Sequence, residues 1–121
     1  MIPDGVWETI KEYLLHYRDI EATEELRQYI EKNAEVKLFD GGAFIAVGNE
    51  FDLFVVPEKR GKWGIKKEIE EYLSRMHEKY PKIAVRIYSD NIKSLRLARF
   101  FGFKECGTKG RMICMERERH G

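Results

Sequence analysis

A basic, glycine-bearing turn within residues 50–66 is the stretch of this sequence with the clearest capacity for chemistry. An apolar run ends at Pro57, and Arg60, Gly61 and Lys62 follow before a helical pattern begins. The first amides of a helix carry partial positive charge and, together with neighbouring cations, attract an anion. The sequence therefore predicts a site for a phosphate-bearing ligand at this turn.

The composition is that of one globular domain covering residues 1–121. Of the 121 residues, 43% are hydrophobic, which is enough to bury one core without disulfide or metal support. Residues 1–50 carry 11 acidic and 5 basic side chains, whereas residues 51–121 carry 10 acidic and 17 basic ones. The turn lies in the basic part, so the charge distribution also favours an anionic ligand there.

The sequence has no apolar stretch long enough to span a bilayer, and its first residues lack the pattern of a signal peptide. We therefore expect a soluble, cytoplasmic protein without a membrane partner. Its two cysteines, Cys106 and Cys114, are too few for a disulfide framework and lack a metal-ligand spacing with the three histidines. They are predicted to be plain buried or edge thiols, and no metal site is expected.

Four helices are predicted from apolar periodicity and capping residues, over about residues 6–17, 23–33, 62–79 and 92–101. Asp4 is placed to cap the first helix and Thr23 to cap the second. The second helix is expected to bury Leu26, Tyr29 and Ile30. These first two helices are interpreted as scaffold.

Six strands are predicted, over about residues 36–38, 43–47, 51–56, 83–88, 103–108 and 111–116. The turn residues 40–42 and 48–49 join the first three into an antiparallel meander. The third and fourth strands flank the long helix as a βαβ unit and should lie parallel. We therefore predict an α+β fold with a mixed central sheet and helices on both faces.

Two motifs and the order of the elements resemble the GCN5-related N-acetyltransferase (GNAT) superfamily. Residues 55–62, Val-Val-Pro-Glu-Lys-Arg-Gly-Lys, are similar to that family's strand-to-helix pyrophosphate loop. Residues 90–94 and 101–105, Asp-Asn-Ile-Lys-Ser and Phe-Gly-Phe-Lys-Glu, are similar to its second motif around the short helix. Two motifs in the right order, joined by the expected helix and strand, are more specific than either alone. The resemblance covers roughly residues 5–117 and lacks the family's usual first strand.

The resemblance implies that the chain binds acetyl-CoA as co-substrate and transfers its acetyl group to an amine. It implies a set of cofactor-binding residues, namely Phe54, Val55 and Val56 along the pantetheine arm, Arg60, Gly61, Lys62, Trp63, Gly64, Ile65 and Lys66 around the diphosphate, and Asn91 and Arg99. Trp63 and Ile65 stand where the family has loop glycines. The run Arg-Gly-Lys-Trp at residues 60–63 is similar to that of a phage-type branch of these acyltransferases, in which a Trp stands in the loop.

The usual catalytic residues of the family are missing at the matching positions. Its tyrosine acid on the short helix is replaced by Ala98, and its glutamate base by Asn49 or Arg86. A CoA-binding protein with impaired catalysis is therefore the alternative to an active enzyme. Positioning two reactants can itself supply much of a rate enhancement, so the loss of the tyrosine does not by itself make the protein inactive.

Substitutes for the missing acid and base lie nearby in the sequence. Acetyl transfer to an amine needs a group that takes the amine proton and an acid near the departing thiolate. Asp52 is the preferred base, with Glu50 as an alternative. Tyr88 is the preferred acid, with Cys106 as an alternative.

The acceptor is predicted only as an amine, either a small molecule or a protein N-terminus or lysine. The acidic surplus of the first two helices favours a cationic amine. A nucleic-acid-binding module built on Lys93, Arg96 and Arg99 is a third reading, which is disfavoured because these cations alternate with core positions and form no recognition motif. The exposed final hairpin strand could pair with a second copy to form a homodimer.

Overall fold

The computed structural model describes residues 1–61 and 63–119 and, of Trp63, the backbone. The helices are α1 (Asp4–Arg18), α2 (Glu24–Asn33), α3 (Trp63–Lys79) and α4 (Ile92–Phe100), with a short 3-10 helix at Pro57–Lys59. The strands are β1 (Glu35–Phe39), β2 (Gly42–Val47), β3 (Glu50–Val55), β4 (Lys82–Tyr88), β5 (Lys104–Lys109) and β6 (Met112–Glu118). Among the helices of the described residues, none is long and apolar enough to cross a membrane.

The strands form one six-stranded sheet in the order β1-β2-β3-β4-β6-β5. β3 and β4 pair in parallel, with Glu50 opposite Ala84, and this confirms the predicted βαβ unit. β6 pairs antiparallel with both β4 and β5, so the last strand of the chain lies inside the sheet and β5 at its edge. The mixed α+β fold predicted from the sequence is confirmed.

The chain forms two compact units, which are described separately. The first comprises residues Met1–Val47 and Asp52–Lys66, and the second comprises Gly48–Phe51 and Lys67–Gly121. That the chain is a single domain stays a prediction.

The core of the first unit lies between α1 and the strands that follow it. Its buried side chains are Ile2, Val6, Trp7, Ile10, Ala43 and Val56. The prediction that Asp4 caps α1 is wrong, because Pro3 is the N-cap and Asp4 already lies in the first turn. The Asp4 carboxylate instead accepts a 2.9 Å hydrogen bond from Arg27 of α2, whose guanidinium also lies 5.7 Å from the Trp7 ring centroid.

The second helix confirms its predicted cap but not its predicted buried face. The Thr23 hydroxyl accepts a hydrogen bond from the Leu26 amide at 3.2 Å. Leu26 and Ile30 pack against the core, whereas Tyr29 is 65% exposed, so its predicted burial is wrong. A ten-residue helix presents only a narrow stripe to the core, and Tyr29 lies on the flank of that stripe.

In the second unit, α3 buries Ile69, Tyr72, Leu73 and Met76, which follow one another at helical spacing. It also buries His77, at 8% exposure, which the apolar pattern did not indicate. The Nδ1 atom of His77 lies 3.0 Å from the Tyr80 carbonyl oxygen, which requires the tautomer that carries the proton on Nδ1. Nε2 has no hydrogen-bond partner among the described residues.

Candidate functional site

The turn between β3 and α3 is anchored to the turn between β1 and β2. The Val56 amide donates to the Gly41 carbonyl at 2.8 Å, and the 3-10 helix then begins at Pro57. The Lys59 side chain crosses Gly41, and its Nζ atom lies 3.2 Å from the carboxylate of Asp40. The basic turn predicted from the sequence is therefore held by contacts within the first unit.

Arg60 is positioned by the backbone of the strand that precedes it. Its Nε atom donates to the Val55 carbonyl oxygen at 2.9 Å, and its own amide donates to the Pro57 carbonyl at 3.3 Å. This side chain is exposed, and Gly61 follows it with a positive φ of 77°. The chain thus turns sharply while one edge of the guanidinium stays fixed beside β3.

The first turn of α3 comes directly after this bend and presents its backbone amides there. The amides at the start of an α-helix have no intrahelical acceptor, and they include those of Gly64 and Ile65. Gly64 is exposed, and a Cβ placed there would meet no atom of the described residues within 4 Å. Ile65 and Lys66 are half-buried. Lys62 and the indole of Trp63 lie outside the described parts, so the predictions for them stay predictions.

An aromatic cluster, formed by Tyr13, Tyr17 and Phe54, lies beside the end of β3. The Tyr13 and Phe54 ring centroids are 5.4 Å apart in an edge-to-face arrangement, and those of Tyr13 and Tyr17 are 5.1 Å apart. All three side chains are half-buried. Tyr13 was not among the residues predicted from the sequence, although its four-residue spacing from Tyr17 on a helix indicates a shared face.

The predicted base, Asp52, is exposed on β3. Its alternative, Glu50, lies in the second unit and forms a 2.8 Å ion pair with Arg86 of β4. The Asn49 side chain donates to the Lys82 carbonyl at 3.0 Å. The residues at the two positions where the family's base was expected therefore join β3 to β4.

The predicted acid, Tyr88, is the last residue of β4 and only 7% exposed. The guanidinium carbon of Arg111 lies 5.4 Å from its ring centroid, and the amide of the next residue, Ser89, donates to the Arg111 carbonyl at 2.8 Å. Ala98, which replaces the family's tyrosine, is buried at 9% exposure and has no titratable group. Tyr88 is thus fixed beside the final hairpin.

Two further predicted cofactor residues, one at the N-cap of α4 and one within it, already have protein partners. The side-chain oxygen of Asn91 accepts a hydrogen bond from the Ser94 amide at 3.4 Å and so caps the helix. Arg99 forms an exposed 2.7 Å ion pair with Glu105. Within residues 1–61 and 63–119, no group of three or more potential ligand side chains could hold a metal ion.

Comparison with known proteins shows which fold these elements form. A ribosomal-protein-alanine N-acetyltransferase from Brucella melitensis superimposes with a TM-score of 0.72, at 17% identity, over 93% of this chain and 91% of that one. The yncA protein of Salmonella typhimurium, solved with its cofactor acetyl-CoA, gives 0.70 at 18% identity over 95% and 88%. The chain has the GNAT fold. A spermidine N-acetyltransferase (SpeG, F149A mutant) from Vibrio cholerae also shares it, with a TM-score of 0.68 at 20% identity over 97% and 92%.

No family model and no curated protein sequence matches this chain. At these low identities the structural likeness extends to the GNAT fold and not to an activity. The site residues must therefore be argued from their own positions.

Proposed function

We propose that the chain is an acetyl-CoA-dependent N-acetyltransferase that acts on an amine. The observation that carries the proposal is the GNAT fold with a cationic, glycine-bearing turn leading from β3 into α3. That turn offers helix-start amides beside fixed or flanking cations, which is the chemistry that a diphosphate requires. The likeness to a protein solved with acetyl-CoA supports the choice of cofactor.

In this proposal the turn holds the diphosphate of acetyl-CoA. The amides of Gly64 and Ile65 and the cations of Arg60 and Lys66 are the described groups suited to it. The remaining cofactor residues in the proposal are Phe54, Val55, Val56, Gly61, Lys62, Trp63, Asn91 and Arg99. Acetyl-CoA supplies the thioester, and the protein supplies its binding and orientation.

The Val55 carbonyl oxygen has to accept two hydrogen bonds in this proposal. It already accepts the Nε–H of Arg60, so its second lone pair is the one left for the amide-bearing pantetheine arm. The Val56 amide donates to the Gly41 carbonyl and the Val56 carbonyl accepts from the Lys59 amide, so strand-like pairing with the arm would fall on the main chain of Val55 rather than on that of Val56. Arg60 therefore has two roles, as a diphosphate cation and as a brace for β3.

Proton transfer in the proposal is assigned to Asp52 as the base and Tyr88 as the acid. Asp52 is exposed on β3, so it is accessible to an amine from solvent. Glu50, whose carboxylate forms an ion pair with Arg86, is the alternative base. Tyr88 is fixed by its buried position and would donate through its phenol, and Cys106 is the alternative acid.

A cationic amine is the acceptor class in this proposal. Residues 1–50 carry more acidic than basic side chains, and the half-buried aromatic cluster of Tyr13, Tyr17 and Phe54 offers ring faces and edges near β3. Cations are attracted to tyrosine and phenylalanine faces. A structural neighbour acts on spermidine, which is a cationic amine of this class.

A thermal-shift measurement tests the cofactor assignment. Because acetyl-CoA would bind only the folded chain, millimolar cofactor should raise the melting temperature. Arg60→Ala should reduce that rise, whereas Lys67→Ala, an exposed cation on the next part of α3, should leave it unchanged. An unchanged melting temperature with wild-type protein would contradict the proposal.

A second measurement separates the enzyme from a CoA-binding protein without catalysis. The alternative is favoured by Ala98, Asn49 and Arg86, which are buried or serve as links between strands. Release of the CoA thiol with polyamines, lysine peptides or peptide N-termini as acceptors would support an active enzyme. A melting shift without thiol release across this panel would favour the alternative.

A further inference from the structure

Two thiols oppose each other across an irregular stretch of the final hairpin. The register passes from Glu105 opposite Met115 to Gly107 opposite Cys114, so Cys106 is an extra residue in β5. Such a bulge places two residues of one strand against a single residue of the other. Cys106 and Gly107 therefore share Cys114 as their partner.

Cys114 and Glu116 share one face of β6, whereas Met115 between them lies on the buried face. Glu116 lies two residues from Cys114 on β6, and its carboxylate is close enough to the Cys106 thiol to contribute, after desolvation, to raising the pKa of that thiol. Residues two apart on a strand point to the same face, so the Cys114 side chain shares the face that Cys106 contacts. The two thiols are also close enough to influence each other electrostatically.

Opposed residues in antiparallel strands have Cα atoms about 4.5–5.5 Å apart, and disulfides join Cα atoms about 4.4–6.8 Å apart. Both cysteines are free thiols, with Cys106 exposed and Cys114 half-buried. An external reagent can therefore reach Cys106 first, and Cys114 is the neighbouring thiol that can react second.

We propose that Cys106 and Cys114 form a thiol modification site that reacts with a small disulfide such as oxidised glutathione and closes to a cross-strand disulfide. The Cys106 sulfur attacks the reagent, forms a mixed disulfide and releases one glutathione. The Cys114 sulfur then attacks the Cys106 sulfur and releases the second glutathione. Two protein thiols are oxidised, one reagent disulfide is reduced, and the two thiol protons pass to the released glutathiones.

Glu116 restrains this reaction. Desolvation, followed by the charge and the hydrogen bond of Glu116, raises the pKa of the Cys106 thiol, Cys114 raises it further, and Lys82 opposes the shift. Lys82 lies 3.8 Å from the Glu116 carboxylate, and Lys104 lies opposite Glu116 in the register. Because the thiolate is the attacking species, closure should be slow near neutral pH and faster as the pH rises.

Incubation of the reduced full chain with oxidised glutathione tests the proposal. Wild-type protein should lose both free thiols and two hydrogen atoms in mass, remain uncrosslinked on a non-reducing gel, and give a peptide that joins Cys106 to Cys114. Cys114→Ser should stop at a mixed disulfide on Cys106. A stable mixed disulfide on wild-type protein, an intermolecular crosslink, or two unreacted thiols would overturn the proposal.

A charge variant tests the restraint by Glu116. Glu116→Gln should close about threefold faster at neutral pH, because removal of the carboxylate favours the thiolate. Glu118→Gln removes the same charge from the same strand and should react at the wild-type rate. Equal rates for both variants would contradict a role for Glu116. These measurements involve no acetyl-CoA, so their outcome is independent of the proposed acetyltransferase activity.

Discussion

At the scale of single residues, two side chains hold the turn of the candidate cofactor site. Lys59 crosses Gly41 and pairs with Asp40, and Arg60 donates to the Val55 carbonyl. Both residues were predicted as part of a basic segment, but each side chain already forms a hydrogen bond within the protein. The turn is therefore preorganised before any ligand arrives, which reduces the ordering cost of binding.

Gly41→Ala should destabilise the first unit by about 2 kcal/mol, because a Cβ there would lie 2.3 Å from Cγ of Lys59 and the backbone φ is 87°. The matched control is Gly48→Ala, where φ is 62° and no described atom lies within 4 Å of the added Cβ, so only the backbone cost of about 1 kcal/mol is expected. Urea unfolding of both variants measures the difference. Equal losses would show that the contact with Lys59 relaxes freely.

Asp52→Asn should lower kcat by about 100-fold or more if Asp52 takes the amine proton, because the amide is not a base. The free energy of unfolding and the melting shift with acetyl-CoA should change little, since Asp52 is exposed. Glu50→Gln is the comparison, and its effect on kcat should be smaller. A larger loss with Glu50→Gln would transfer the role of base to Glu50 despite its ion pair with Arg86.

At the scale of elements, α4 depends on a residue that the family resemblance also places beside the cofactor. The Asn91 side chain caps the helix, and the Asn91 amide donates to the Tyr88 carbonyl at 2.9 Å, which ties the cap to the end of β4. A loss of cofactor affinity on mutation of Asn91 would therefore have two explanations. The substitution chosen must separate the cap from a direct contact.

Asn91→Ala should lower the free energy of unfolding by about 1 kcal/mol, because the Ser94 amide loses its acceptor. Asn91→Asp keeps an acceptor oxygen at the N-cap and should retain wild-type stability. If Asn91 also contacts acetyl-CoA, the Asp variant should bind this anion more weakly at unchanged stability. Equal destabilisation by Ala and Asp in chemical unfolding would argue against the cap as the stabilising feature.

At the scale of the whole molecule, charge is divided along the chain. The acidic surplus falls in residues 1–50 and the basic surplus in residues 51–121, which contain the turn and all of α3. An anionic cofactor and a cationic amine would therefore be attracted to different parts of the sequence. The near-neutral total of +1 conceals this division.

Raising the salt concentration from about 50 to about 300 mM should weaken acetyl-CoA binding severalfold, because added ions shorten the distance over which exposed charges attract each other. Isothermal titration at several salt concentrations would measure the change. Lys67→Ala should keep the same salt dependence, and Arg60→Ala should show a smaller one. A salt-independent affinity would indicate that the cations of the turn do not contact the cofactor phosphates.

Most helices and strands, and several of their termini, could be predicted from local sequence patterns. The Thr23 cap and the turn at Gly41 are read from local residue types, because capping bonds and positive φ involve only neighbouring residues. The parallel pairing of β3 and β4 also follows from sequence, since a helix long enough for a crossover separates them.

Contacts between residues far apart in the chain could not be predicted from the sequence and are seen only in the folded structure. The pairing of Asp4 with Arg27, of Glu50 with Arg86, and of Cys106 with its partners across the bulge at Cys114 depends on strand register and helix placement. Periodicity shows which face of an element is apolar, but not which distant side chain will lie opposite a given polar residue. The position of β6 between β4 and β5 is such a non-local outcome, because β6 pairs with β4 across the intervening α4 and β5.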